Sequence, residues 1–185
     1  MSVVYVVLIA FGLSMDAFAV SITSGLVIKQ LKVSHAFRIA LFFGSFQAIM
    51  PLMGWLAGIG MRTFVSAIDH WIVFTLLSFI GGKMIFQSMR PGPREAGFDP
   101  TNIMTLSALS IATSLDALAV GLSLSFLNVA ILSPAVIIGV ITFAVSFLGT
   151  FIGNRFGHFF EQKAQVAGGL LLIGIGIKIL IEHSV

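Results

Sequence analysis

The sequence predicts an all-α polytopic membrane protein: six transmembrane helices, forming two inverted three-helix repeats, with both termini outside. Three observations predict it. Ten Lys and Arg plus seven Asp and Glu are the only charges in 185 residues, 9%, against roughly 25% in a soluble domain. The hydrophobic fraction is 58% and the mean hydropathy is +1.10, more apolar surface than a soluble globule of this size can hide. The apolar runs are about 20 residues long, which suits helices rather than the strands of an outer-membrane barrel. A soluble enzyme, a nucleic-acid binder and a disordered chain are thereby excluded. With no cysteine, disulfides, thiolate metal sites and cysteine catalysis are excluded too.

The first apolar segment covers about 3–26. It contains Ala17-Phe18-Ala19, but no basic residue precedes Lys29. The basic region of a cleavable leader is missing, so the segment reads as a retained helix. Asp16 lies near its middle, where a carboxylate costs roughly 2.5–3.5 kcal/mol on insertion scales and is functional by default. Gly12, Asp16, Ala19 and Thr23 share one helical face. The second segment, 37–60, carries Gly44, Gln47, Pro51, Gly54 and Gly58 on one face. Gln47 sits at the membrane centre, and Pro51 removes one helical hydrogen bond. The third segment, 71–89, contains Lys83 close to its end. That lysine either snorkels to the interface or pairs with Asp in the empty protein.

The connection from Arg90 to Asn102 is the longest polar one and holds three of the five prolines. The chain therefore divides into a first repeat, 1–90, a cytoplasmic linker, 91–101, and a second repeat, 102–185. The fourth segment, 102–127, places Ala112, Asp116, Ala119 and Ser123 on one face. The fifth, 133–155, does the same with Gly139, Thr142, Ser146, Gly149 and Gly153. The sixth, 165–182, holds Lys178, spaced i,i+4 from Glu182 and open to the same two readings as Lys83.

The halves match. Ser14-Met-Asp16-Ala-Phe-Ala-Val20 recurs as Ser114-Leu-Asp116-Ala-Leu-Ala-Val120 at an offset of 100. Gly44, Gly54 and Gly58 recur as Gly139, Gly149 and Gly153 at an offset of 95. Gly81-Gly82-Lys83 is echoed by Gly176-Ile177-Lys178. Three helices per repeat is an odd number, so the second copy enters the membrane upside down. Transporters of this design bind substrate near the midplane between the repeats. Orientation follows from the basic residues. Lys29, Lys32, Arg38, Arg90, Arg94, Arg155 and Lys163 mark one side and only Arg62 the other, which makes the first side cytoplasmic.

Two carboxylates neutralise one divalent cation. Ser14, Thr113, Ser114, Gln47 and backbone carbonyls complete an oxygen-rich shell, suited to magnesium, calcium or manganese. Met15 or Met50 offers one softer contact, although each reads first as core. Carboxylates held close repel, so the pair can hold a proton when the metal is absent, a basis for proton–cation exchange. The small residues Gly12, Ala19, Gly44, Gly54, Gly58, Ala112, Ala119, Gly139, Gly149 and Gly153 let the helices approach closely. An intramembrane aspartyl protease, an exporter of an amino acid or another small cation, and a non-transporting subunit are the alternatives. No Gly-x-Gly-Asp motif precedes Asp116, which argues against the first.

Phe11-Gly-Leu-Ser-Met-Asp-Ala-Phe-Ala-Val-Ser21 resembles the first-helix signature of the MntP-type manganese efflux pumps, a bacterial family of the LysE transporter superfamily. Phe43-Gly-Ser-Phe-Gln-Ala-Ile-Met-Pro-Leu-Met-Gly-Trp55 resembles that family's second helix, and Ile111-Ala-Thr-Ser-Leu-Asp-Ala-Leu-Ala-Val-Gly121 its fourth. The resemblance runs over nearly the whole chain. It implies six helices, a place in the bacterial cytoplasmic membrane, and export of Mn2+ as substrate with no resident cofactor. It also implies that Asp16 and Asp116 carry the function. One departure is Gln47, where some relatives have a carboxylate.

Overall fold

A computed structural model describes residues 3–65, the separate positions 74–75, 78–79, 82 and 85–86, then 100–127 and 129–184; side chains at 61–65 and at most positions beyond 155 lie outside the description. Four long helices account for nearly all of it: α1 (Val3–Val27), α2 (Val33–Val65), α3 (Ile103–Phe126) and α4 (Leu132–Ser184). Each contains a stretch long and apolar enough to cross a membrane, namely Val3–Val27, Val33–Gly60, Ile103–Phe126 and Leu132–Arg155. The chain is therefore a multi-pass membrane protein.

The first, second and fourth expected segments coincide with α1, the membrane-crossing part of α2, and α3. The third lies mostly outside the described residues, as do Lys83 and linker positions 91–99. The fifth, 133–155, coincides with the membrane-crossing part of α4, Leu132–Arg155; the boundary between the fifth and the sixth differs from expectation. No break separates 155 from 165, and α4 runs through both as one helix of 53 residues, about 80 Å at 1.5 Å per residue. The intervening Phe156-Gly-His-Phe-Phe-Glu-Gln-Lys-Ala164 holds polar groups but no proline. Polarity alone does not interrupt i→i−4 hydrogen bonding; a missing N–H does.

The turns follow ordinary rules. Asn102 caps α3, its side chain accepting from the Met104 N–H at 2.8 Å, which satisfies one of the helix's exposed donors. Pro134 sits in the first turn of α4, where it costs no hydrogen bond. Pro51 lies inside α2, which stays helical across it.

Contact between helices is set by glycine. Phe18 of α1 lies against Gly149 of α4, and Ile22 against Gly153. Both numbers rise together, so α1 and α4 run parallel. Leu118 of α3 lies against Gly54 of α2, and Leu122 against Gly58, so α2 and α3 run parallel as well. The two seams are numerically related. Adding 100 to 18 and 22 gives 118 and 122; subtracting 95 from 149 and 153 gives 54 and 58. Gly44 and Gly139, the positions that the offset of 95 makes equivalent, touch each other where α2 meets α4, with the Gly139 carbonyl oxygen 2.9 Å from a Cβ placed on Gly44.

Two apolar clusters close the ends. Ile9, Ala10 and Leu13 of α1 join Ala117, Val120 and Leu124 of α3 and Ile131, Ala135 and Ile138 at the start of α4. Ala17 and Ile28 join Ile39 and Phe43 of α2 and Leu106 of α3. The early part of α1 thus meets the late part of α3, and the reverse, so these two helices are antiparallel.

The links between α1 and α2 and between α3 and α4 are each tied by a side chain from another helix. Asn154 Nδ2 donates to the carbonyls of Gly25 at 3.0 Å and Ile28 at 2.8 Å. Trp55 Nε1 donates to the Val129 carbonyl at 2.9 Å. Trp55→Phe keeps the ring and removes the donor. A loss of about 1 kcal/mol is expected, read as a lower melting temperature of the detergent-purified protein. An unchanged melting temperature would show that the tie contributes nothing.

Candidate cation site

Burial singles out Asp16 and Asp116. Their residual exposures are 8% and 6%, inside a bundle whose other faces carry apolar side chains. Each holds at least one interaction within the protein. They come from antiparallel helices, α1 and α3. Among the described residues no three His, Cys, Asp or Glu side chains gather to hold a metal. Any shell built here therefore rests on few carboxylates and many neutral oxygens.

The neutral oxygens divide into two groups. Ser14, Thr113 and Ser114 are buried, but their hydroxyls donate to carbonyls of their own helices. Ser14 donates to Phe11 at 2.9 Å, Thr113 to Leu109 at 2.9 Å, and Ser114 to Ser110 at 2.6 Å. The proton is spent on the backbone and the oxygen's lone pairs remain to accept or ligate. Gln47 belongs to the second group. Its Nε2 donates to the Leu13 carbonyl of α1 at 3.2 Å, a bond that crosses from α2 three residues from Asp16. Its Oε1 is buried and has no hydrogen-bond partner. A buried carbonyl oxygen left so is costly unless water or an ion supplies the missing contact.

Sequence reasoning does not count Ser146, Ser21 and Ser110 among the ligand oxygens, and leaves Thr142, matched to Gln47, open between ligation and an interhelical hydrogen bond; the structure groups all four. All four are fully buried, and their hydroxyls have no hydrogen-bond partner. Thr142 is equivalent to Gln47 through the offset of 95. A repeat alignment of orphaned oxygens is a signal that sequence alone does not contain, because it shows hydroxyl positions but not their partners.

The expected packing residues fare unevenly. Gly12, Ala19, Gly44, Gly54, Gly58, Gly139, Gly149 and Gly153 are buried, and Ala119 is half-buried. Ala112 is exposed, so it does not mirror Gly12. The close approach of α3 to α2 is made by Leu118, Gly121, Leu122 and Ser125, a turn or more further along. Met15 and Met50 are half-buried against the cluster around Leu13 and Val120, as core residues are. Lys83 and the side chain of Lys178 lie outside the described residues.

Gln47→Leu tests the orphaned oxygen. Leu is of similar size and leaves no unsatisfied group, so the fold is expected to persist. Cation affinity should fall by about tenfold, the lower end for loss of a supporting ligand contact. The measurement is the concentration dependence of metal flux in vesicles; an unchanged half-saturation would remove Gln47 from the site.

A family model described as "Putative manganese efflux pump" matches residues 30–180. Proteins named "Putative manganese efflux pump MntP" are similar over nearly their full lengths. The one from Gloeothece citriformis is 52% identical over 183 residues, covering 99% of this chain and 97% of that one. The one from Methanosarcina mazei is 51% identical over 176 residues, covering 95% and 94%. The one from Clostridium botulinum is 49% identical over 194 residues, covering 100% and 96%. No solved structure matches.

Proposed function

The chain belongs to the MntP family of manganese efflux pumps, and on that premise we propose that it exports Mn2+ across the cytoplasmic membrane by secondary transport, binding the ion between Asp16 and Asp116. The family is one of transporters, not enzymes, so the two Asp are not a protease pair, and manganese is cargo rather than cofactor. The observation that carries the binding site is the burial of both carboxylates at repeat-equivalent positions of antiparallel helices. A dianionic site matches the charge of the ion, and Gln47 Oε1 with the Ser14, Thr113 and Ser114 oxygens supplies neutral ligands. Such a hard, oxygen-rich shell suits Mn2+.

The reading includes six spans in two inverted repeats, 1–90 and 102–185, joined by a cytoplasmic linker at 91–101, with both termini outside; the sixth span and the outside C-terminus require a turn between 155 and 165, which the continuous α4 does not contain. Support comes from helix directions. The Gln47 bond to Leu13 and the short link at 28–32 make α1 and α2 an antiparallel pair. Since α3 runs parallel to α2, it opposes α1, its repeat equivalent. A further crossing between 60 and 103 is what parallel α2 and α3 require. The matched glycine seams, α1 on α4 and α3 on α2, support a common packing of the two halves in opposite orientation, the arrangement that lets one site open to either side.

Inside-out vesicles containing the purified protein test the reading. They should accumulate Mn2+ well above protein-free vesicles, with Mg, Fe, Co and Zn measured alongside. Proton coupling predicts faster uptake with an acidic lumen while the membrane potential is clamped. Uptake no better than in protein-free vesicles would sink the export reading, and rates indifferent to the gradient would remove the proton.

A further inference from the structure

The stripes that form the seam between α1 and α4 carry three buried hydroxyls that, like Ser110 of α3, differ from the Ser and Thr that bond their own helices. Thr23, Ser24, Thr113, Ser123 and Thr150 donate to a carbonyl four residues back on their own helices, at 2.8 to 3.1 Å. That bond is available to any helical Ser or Thr and is the usual way to satisfy its proton. Ser21, Thr142 and Ser146 do not make it; their oxygens are buried with no partner at all.

Their positions are related. Phe18, Ile22 and Gly25 of α1 lie against Gly149, Gly153 and Thr150 of α4. Ser21 is on that same stripe of α1, one turn from Phe18 and Gly25. Ser146 and Thr142 are one and two turns before Thr150 on α4. With 18 level with 149 in a parallel pair, Ser146 is level with residue 15 and Thr142 with residue 11. The three hydroxyls therefore bracket the level of Asp16.

The equivalent seam between α2 and α3 is different. The offsets turn Thr142 into Gln47, Ser146 into Pro51, Thr150 into Trp55 and Ser21 into Gly121. There the Pro51 carbonyl abuts Gly121 and the Trp55 ring is tied to Val129. One seam is lined by three orphaned hydroxyls; at the equivalent positions of the other only Gln47 Oε1 is orphaned.

We propose that the α1–α4 seam, from the level of residue 11 to the C-terminal end of α1, is the cation's passage past Asp16. In this structure the seam is closed, since Gly25 and Gly153 bring the two backbones together. When it parts, Ser21, Thr142 and Ser146 replace waters in the hydration shell of a divalent cation. Closed, their hydroxyls lack partners, which biases the seam toward opening. The cargo and the cytoplasmic direction of this end rest on the export reading above; the passage itself does not.

The chain contains no cysteine, so single-cysteine reporters need no prior engineering. Ser21→Cys, Thr142→Cys and Ser146→Cys are compared with Leu13→Cys, placed in the apolar cluster, each at wild-type abundance in inside-out vesicles. The probe is a small cationic methanethiosulfonate added outside, on the former cytoplasmic face. Labelling of the three is expected to be about tenfold faster than of Leu13→Cys, because thiol reactivity needs access to water. Millimolar Mn2+ should slow it. Rates no faster than Leu13→Cys overturn the passage. Fast labelling that Mn2+ leaves unchanged keeps the passage and removes manganese as its cargo. Flux supplies the second arm: Ser146→Ala should lower Mn2+ export several-fold, while Thr23→Ala, whose hydroxyl serves its own backbone, should not. Equal flux in both overturns the proposal.

Discussion

Asp16→Asn and Asp116→Asn are each expected to abolish manganese export while leaving the protein in the membrane at normal abundance. Asn keeps the shape and removes one negative charge. A divalent ion between one carboxylate and one amide carries an uncompensated positive charge in a medium that screens it poorly. Breaking a buried charge pair costs about 2–5 kcal/mol, and the lower figure is already a loss of roughly 30-fold in affinity. Stability should move the other way or not at all, because the substitution removes an expensive intramembrane carboxylate. The measurement is manganese content and tolerance of cells expressing wild type, Asp16→Asn or Asp116→Asn, with membrane abundance assayed in parallel. Equal manganese content in all three would refute the binding site.

Gly54→Ala and Gly153→Ala are expected to destabilise the fold, and Gly60→Ala is not. A Cβ at Gly54 falls on the Leu118 carbonyl oxygen, and one at Gly153 on that of Ile22. Backbone atoms cannot rotate away as a side-chain tip can, so the helices must separate. Such overpacking costs typically 1–3 kcal/mol, sometimes more, and in a bilayer close backbone approach is a main source of helix association. Gly60 lies in α2 with nothing within 4 Å of its Cβ direction. Alanine there should be neutral or gain up to about 1 kcal/mol from helix propensity. Thermal aggregation of the detergent-solubilised variants reads all three. A Gly153→Ala protein as heat-resistant as Gly60→Ala would show that the α1–α4 seam is looser than its geometry.

The two predictions draw on different kinds of legibility. Asp16 and Asp116 stand out in the sequence because a bilayer penalises charge so heavily that exceptions are visible without coordinates. Glycine periodicity was legible for a related reason: Gly is a poor helix former, so repeated Gly on one helical face needs packing to justify it. Their partners were not legible. Nothing in the order of residues says that Gly153 meets Ile22, or that Ala112, aligned with Gly12, faces outward. Equivalent positions share a sequence pattern, but their neighbours depend on where two helices cross. The uninterrupted α4 escaped notice because a polar stretch resembles a loop in hydropathy, while helix termination depends on the backbone.

Composition, charge placement and the repeat determined the class of this protein: an all-helical membrane chain with two buried carboxylates at equivalent points. These are properties of single residues in a solvent that tolerates few alternatives, so they survive without knowledge of contacts. Tertiary structure alone decided which oxygens are left without partners, which seam is lined by them, and how the helices are directed relative to one another. A hydroxyl is the same letter whether its proton is given to its own helix or to nothing. That difference is set by the register between helices far apart in sequence, here α1 against α4, and register is fixed only when backbones meet.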